Sequence, residues 1–346
     1  MGGSLTGLGV NRMAIWWKAL RYHFIPPSLF PATLGALVAW AVNGTFYTFY
    51  FLLVLAGVVA NHLALNMADD YFDFKHAVDN SKPEEKNPYS GGSGTLSSGA
   101  MHPSAMFKAF VLCFALTVTI GLYLTILRGI PVLLFGLLGV FCSVFYTAPP
   151  ISFSHHGLGE LGQLVCFGTV IGMGSYFVQT QTLTLEAFLA TLPLGIMLFS
   201  MIVINEIPDY NEDRLAGKLT LVARYGKWRG VKLYVASWAC TYLVITVGIL
   251  LQVLPWTALL ALVSLPITLR SIKVLQANYE NPLKLAPANL DMIIAYSITS
   301  LGLIAAYSIQ GLIEGANHLQ LLVTLLFLAI FYVPAAIALK QTISRK

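Results

Sequence analysis

A single short stretch, NMADDYFDFKHAVD over residues 66–79, places four aspartates and an asparagine at the end of a long apolar run. Carboxylates that close repel one another and need a cation. At about 100° per residue, a helix through this stretch gathers Asn66, Asp69, Asp70 and Asp73 within an arc of about 100°, so their oxygens converge on one side. That is a metal-binding face. A second stretch, NEIPDYNED over residues 205–213, repeats the arrangement at the end of another apolar run, with Asn205, Asp209 and Asp213 four apart on a shared face. Magnesium takes oxygen ligands, keeps several waters, and is usually held by one or two carboxylates together with the phosphates of a substrate. Two such faces could clamp one diphosphate between them.

Both faces need elements that bring them to the same depth. The chain has 346 residues, 57% hydrophobic and 10% charged, with a mean hydropathy of +0.74. Soluble domains carry about 25% charged residues. Apolar runs of about 20 residues, long enough to span hydrocarbon, recur along the whole length. They predict helices over 24–43, 50–68, 106–127, 130–147, 160–180, 187–206, 231–252, 255–270, 290–311 and 318–340. The expected class is therefore an all-α polytopic membrane protein, one membrane-embedded domain over 1–346 with no separate soluble part. The eighth segment, with Pro255 and Pro266, is expected to be short, kinked or re-entrant.

Basic residues orient this bundle. Arg12, Lys18 and Arg21 precede the first segment, Lys75, Lys82 and Lys86 follow the second, and Lys218, Arg224, Lys227, Arg229 and Lys232 follow the sixth. Arg270, Lys273, Lys284, Lys340, Arg345 and Lys346 fall on the same side, whereas the opposite loops carry little beyond Arg128, Glu186 and Glu314. The positive-inside rule puts both termini, and the openings of both acidic stretches, in the cytoplasm. The N-terminus lacks a cleavable signal pattern. A net charge of +5 spread over these loops suits anionic headgroups or an anionic substrate and does not suggest nucleic acid. Cys113, Cys142, Cys166 and Cys240 fall in predicted helices without disulfide or zinc spacing, and no obligate protein partner is inferred.

Three local features bear on the site. The polar loop over 74–103 has the Gly, Ser and Pro content of a flexible linker, and its alternative reading is a lid in which Gly91, Gly92 and Gly94 approach phosphate with Ser90, Ser93 and Lys86 as donors. Pro208 cannot donate to the carbonyl of Ile204 and should bend the helix beside Asp209. His155 and His156 read as solvated loop histidines, with proton acceptance as the alternative, and Glu160 is a candidate cavity residue.

DDYFDFKHAVD followed by NEIPDYNEDRLAGKLTLVARYG resembles the paired motifs of the UbiA-type membrane prenyltransferases, with Gly217, Lys218, Thr220, Leu221 and Gly226 matching the longer pattern. Within that superfamily the chain is most similar to the dihydroxynaphthoate branch of the menaquinone pathway. Supporting matches are Arg21, Tyr146 with Thr147, and the Gly157 to Glu160 segment, so the resemblance covers about 18–311. It departs where Asp69 replaces a usual Asn, where Glu206-Ile207-Pro208 replaces a usual Asn-x-Arg, and where a tenth helix, about 318–340, lies beyond the usual nine-helix core.

The resemblance implies transfer of a polyprenyl group from a prenyl diphosphate to an aromatic acceptor in membrane lipid, for quinone biosynthesis. Mg²⁺ held by Asp69, Asp70 and Asp73 on one side and Asp209 and Asp213 on the other would stabilise the departing diphosphate. Asn66 and Asn205 would coordinate or hold the carboxylates, and Arg21, Lys75 and Lys218 are candidates for phosphate contacts. Tyr146 is the first candidate for the electron-rich wall facing the allyl cation, with Tyr71, Phe72 and Tyr210 behind it. Two other readings stay open. One is a same-fold enzyme with a tetrapyrrole, sugar or glycerol phosphate acceptor, although the first motif lacks the D-R-x-x-D arginine of several such branches. The other is an ion-coupled transporter, whose carboxylates usually lie at the membrane midplane.

Overall fold

The computed structural model describes residues 12–76, 87, 89 and 92–344. Asp79, Lys82, Lys86, Ser90, Gly91, Arg345 and Lys346, used above for topology or as loop donors, lie outside the described residues. All regular structure among the described residues is helical. In chain order the α-helices are α1 (Arg12–Leu20), α2 (Pro26–Asn43), α3 (Thr48–Lys75), α4 (Pro103–Arg128), α5 (Ile130–Val144), α6 (Gly159–Leu164) and α7 (Ile171–Thr180). They continue as α8 (Leu185–Leu215), α9 (Leu221–Tyr225), α10 (Lys227–Leu250), α11 (Leu265–Asn278), α12 (Pro282–Ile313) and α13 (His318–Ser344). Among the described residues, eight helical segments are long and apolar enough to cross a membrane. A ninth results if Arg12–Phe24 and Pro26–Asn43, bent by 48°, form one span, and Ile130–Val144 is a shorter apolar helix. Each of the ten predicted segments has its helix.

The centre of the bundle is α2, apolar on every side and buried over almost its whole length, as expected of a helix without a polar face. It packs against α3, α7, α8, α12 and α13. Small residues set how closely these helices approach. A Cβ on Gly35 would lie 2.1 Å from the Gly172 carbonyl oxygen, and one on Gly168 would lie 2.6 Å from the Gly195 nitrogen. Without a hydrophobic driving force between helices in lipid, such backbone contact supplies the packing. It fixes α7 on α2, and the π-helical turn Val165–Val170 on α8, which carries the second acidic stretch.

Three differences from the sequence reading matter for the site. First, α3 runs to Lys75 and α8 to Leu215, well beyond the apolar ends at 68 and 206. Hydropathy stops where the charges begin, but backbone hydrogen bonding does not, so both acidic stretches are helical. Second, α8 is continuous through Pro208. Third, the eighth segment starts as a 3-10 helix, Trp256–Ser264, and becomes α-helical at Leu265. Pro266 lacks the N–H that an α-helical register would direct at Leu262, and Leu262 instead accepts from Leu265 in the tighter register.

Candidate active site

The polar ends of α3 and α8 meet across a cavity of about 220 Å³. From α3 it receives Asn66, Asp69 and Asp73, and from α8 Asn205, Glu206, Asp209, Glu212 and Asp213. Arg21, Tyr146 and Lys218 complete the polar wall, while Leu65, Phe167, Leu198 and Ile202 line its apolar floor. Residues nearly 150 positions apart thus share one compartment, as the two helical faces required.

On the α3 side each carboxylate is met by a group from elsewhere in the chain. Arg21 has left-handed backbone, φ 48° and ψ 40°, a conformation that costs a non-glycine residue about 1–2 kcal/mol. This turn between α1 and the short helix Tyr22–Phe24 aims its guanidinium at Asp69 and Asp70, both at 3.3 Å. Those contacts are long beside the roughly 2.7–2.9 Å of strong charge-assisted hydrogen bonds. Asp70 also accepts from the backbone N–H of Ser93, at 3.1 and 3.2 Å to its two oxygens, so the loop after α3 docks on this helix. Asp73 accepts from Lys218 Nζ at 3.0 Å, and His155 Nε2 stands 3.9 Å from its other oxygen.

Lys218 is held as firmly as its partner. Its backbone N–H donates to the carbonyl of Asp213, the next N–H, of Leu219, donates to the carbonyl of His155, and Leu221 N–H donates to Glu160 Oε1 at 2.6 Å. Glu160 is therefore committed to the first turn of α9 and does not line the cavity. Burial opposes the Lys218 charge, but Asp73, Asp69 and Asp213 around it raise its pKa well above the ordinary lysine value. It is a fixed cation.

The α8 side is built through amides. Pro208 leaves the Ile204 carbonyl without its helical donor, and Asn289 of α12 supplies one through Nδ2 at 3.4 Å. The same Nδ2 donates to Asn205 Oδ1 at 2.7 Å, and Asn289 Oδ1 accepts from Asn87 at 3.1 Å. Asn87 and Asn289 are 2% and 1% exposed, so this amide chain from loop to site is shielded from water. The turn after α5 presents Tyr146, whose carbonyl accepts from Ser154 N–H at 2.8 Å. A Cβ at Gly159 would lie 3.0 Å from its ring, so glycine there makes room for the aromatic side chain.

Of the residues singled out from sequence, Arg21, Asn66, Asp69, Asp73, Tyr146, Asn205, Asp209, Asp213 and Lys218 line the cavity. Asp70 is buried beside it, turned to Arg21 and Ser93. Lys75 and Tyr210 are elsewhere. Lys75 is exposed and lies over the Tyr71 ring at 4.8 Å, and Tyr210 OH accepts from Arg214, so neither stands where a phosphate in the cavity would be met. Tyr71 and Phe72 pack with Phe110 on the far side of α3. Asn87, Asn289 and Gln163 are site residues that sequence reasoning missed, and Thr220, named there only as part of the second motif, also lines the cavity. For Asn289 the signal was the carbonyl that Pro208 orphans.

Magnesium fits the donor set. Asp69 Oδ1 and Asp73 Oδ1 are buried without a hydrogen-bond partner, and the carboxylates and amides of Asn66, Asn205, Asp209 and Asp213 that share the cavity offer hard oxygens. Among the described residues, no three His, Cys, Asp or Glu side chains form a metal cage by themselves, in keeping with an ion that takes only one or two carboxylates and completes its shell with phosphate and water.

Two acidic helix faces around one polar cavity in an all-α bundle make a membrane-embedded site suited to a cation-bearing anionic ligand. Residues 28–286 match the UbiA prenyltransferase family, and the chain belongs to it. It is a multi-pass integral membrane prenyltransferase. It is similar to 1,4-dihydroxy-2-naphthoate octaprenyltransferase of Bacillus subtilis, 26% identical over 280 residues that cover 79% of this chain and 86% of that protein. It is similar, too, to 2-carboxy-1,4-naphthoquinone phytyltransferase of Synechocystis, 24% identical over 270 residues, 78% of this chain and 84% of that one. The fold aligns with a UbiA homolog from Archaeoglobus fulgidus bound to GPP and Mg²⁺, with a TM-score of 0.63 over 86% of this chain and 99% of that chain at 13% identity.

Proposed function

We propose that this protein transfers a polyprenyl group from a prenyl diphosphate to a dihydroxynaphthoate-type aromatic acceptor, with the chain acting as a single unit and its cavity opening to the cytoplasm. The observation that carries the reading is the sharing of one cavity by both acidic faces, Arg21 and Lys218. The naphthoate prenyltransferases among its relatives support the acceptor class. Asp69, Asp70, Asp73, Asp209 and Asp213 would hold Mg²⁺, which when bound supplies Lewis-acid stabilisation of the diphosphate leaving group.

The protein's own groups do the rest. Lys218 and Arg21 offer fixed positive charge to the departing diphosphate. Asn66 Nδ2 donates to the Leu20 carbonyl at 3.3 Å and so ties α3 to the turn that carries Arg21. Tyr146 faces the allylic carbon with an electron-rich ring, and Leu65, Phe167 and Leu198 keep water from capturing the cation. The acceptor ring forms the new bond to the allylic carbon, whose bond to the diphosphate oxygen has broken, and the proton displaced from the attacked ring carbon passes to the released diphosphate or to solvent.

Purified protein incubated with radiolabelled geranylgeranyl diphosphate, Mg²⁺ and 1,4-dihydroxy-2-naphthoate, 4-hydroxybenzoate or glycerol phosphate tests this. The expected result is a lipid-soluble product with the naphthoate. No product with any acceptor, together with vectorial uptake in liposomes, would overturn it, and product with glycerol phosphate alone would move the protein to another branch.

A further inference from the structure

Beside the polar cavity lies a second one of about 240 Å³. The two share Phe24, Pro27, Tyr89 and Met201 as wall residues, so one begins where the other ends. The second is the more apolar, with His23 and Ser297 its polar side chains beside the tyrosines. No Asp, Glu, Lys or Arg is among the described residues that line the second, and its walls are Ile293, Ile294 and Tyr296 of α12 with Tyr332, Ala335 and Ala336 of α13. A diphosphate fixed by the acidic faces has its apolar chain attached at the allylic carbon, and that chain has to leave the polar compartment. An adjoining apolar cavity is where it escapes water and charge at once.

The dimensions make α13 matter. At about 240 Å³ the cavity is smaller than the roughly 300–1,000 Å³ of pockets that enclose drug-sized ligands, so it takes the isoprene units nearest the diphosphate and no long tail. Because α13 forms one wall of this cavity, a longer chain that leaves for lipid on that side passes it. Tyr332 is held in place against Phe30 at 5.5 Å between ring centroids, and Phe30 in turn packs on Tyr296 at 5.9 Å. One turn on, Ala335 is 3% exposed while Ala336 is exposed, so two small side chains stand at the rim between the cavity and the outside.

We infer that α13, the helix beyond the usual core, sets which prenyl chain lengths the enzyme accepts, with Tyr332 narrowing the exit and Ala335 and Ala336 leaving it open. The inference rests on the polar cavity being the diphosphate site. The two residues act on specificity, away from the reacting carbon.

The test is the ratio of kcat/KM for an octaprenyl donor to that for geranyl diphosphate, in the wild-type protein and in Ala335→Phe, Tyr332→Ala and Ile330→Phe. Ile330 is on α13 but 52% exposed and outside the cavity lining, so it controls for general damage to the helix. Ala335→Phe is expected to lower the ratio about tenfold or more, on the scale of one misfit side chain in an apolar pocket. Tyr332→Ala, which enlarges the exit instead of filling it, should raise the ratio, and Ile330→Phe should leave it as in wild type. Equal ratios in all four proteins, or the same fall in Ile330→Phe as in Ala335→Phe, would overturn the inference while turnover of geranyl diphosphate keeps the proposed function standing. Wild-type protein inactive with every donor would remove that function and this inference together.

Discussion

The two acidic helix ends look alike in sequence, yet they are held by different means. On α3 the carboxylates themselves are gripped, Asp69 and Asp70 by Arg21 and Asp73 by Lys218, all through contacts to distant parts of the chain. On α8 the grip is on the backbone and an amide: Pro208 frees the Ile204 carbonyl, and Asn289 takes it together with Asn205. On α3 the protein's cations thus contact the carboxylates directly, and on α8 Asn289 of α12 holds the amide and the carbonyl at the head of the acidic stretch, while Lys218 faces Asp213 as well as Asp73. Two similar motifs therefore do not make two equivalent half-sites, and a substitution tells which half it belongs to by what else it disturbs.

The comparison breaks most sharply at the carboxylates. Asp73→Ala and Asp209→Ala should each lower kcat by at least about 10²–10³-fold, the scale on which preorganised charge acts at a developing anion. Only Asp73→Ala should also loosen the α9 region, because it leaves the Lys218 ammonium buried without its 3.0 Å partner. Hydrogen exchange over 216–226 in both variants checks this, and equal protection in the two would equate the faces. Lys218→Met should follow with a fall in kcat of about 10²-fold, partly restored in Lys218→Arg, since a fixed cation is what the site uses. No recovery of rate in the arginine variant, where the charge is present, would assign Lys218 a role in packing.

Smaller effects sharpen the α8 side. Asn289→Ala should cost about 1–3 kcal/mol of stability, the penalty for a buried acceptor left unsatisfied, and raise KM for the diphosphate donor more than it lowers kcat. The smallest expected change is the most specific. Pro208→Ala returns an N–H to the Ile204 carbonyl, so in a double-mutant cycle it should reduce the cost of Asn289→Ala by about 0.5–3 kcal/mol. Strict additivity would show that Asn289 does not serve that carbonyl.

Much of this site was legible from residue spacing. The i, i+4 placement of Asn205, Asp209 and Asp213, and the Asn66 to Asp73 cluster, put one face on each helix, and those faces do meet at the cavity. Lys75, a candidate for a phosphate contact, stands two residues, or about 200° of helix, from Asp73 and so points to the opposite side. Asn289 gave no periodic signal, being a lone amide just ahead of the apolar run 290–311. Its role follows from asking which group answers the carbonyl that Pro208 leaves open, a question about hydrogen bonds across helices that spacing within one helix does not pose. The cavity behind Phe24 and Met201 depends on how α12 and α13 pack on α2, a property of tertiary contact with no counterpart in a hydropathy plot.

The central claim, that both helix faces bind one magnesium-bearing diphosphate, is tested most directly by titrating inorganic diphosphate into detergent-solubilised protein by calorimetry, with and without Mg²⁺, for wild type, Asp73→Ala and Asp209→Ala. The account predicts Mg²⁺-dependent binding to the wild type that is lost in each single variant. Wild-type affinity retained in either variant, or binding that ignores Mg²⁺, would contradict it.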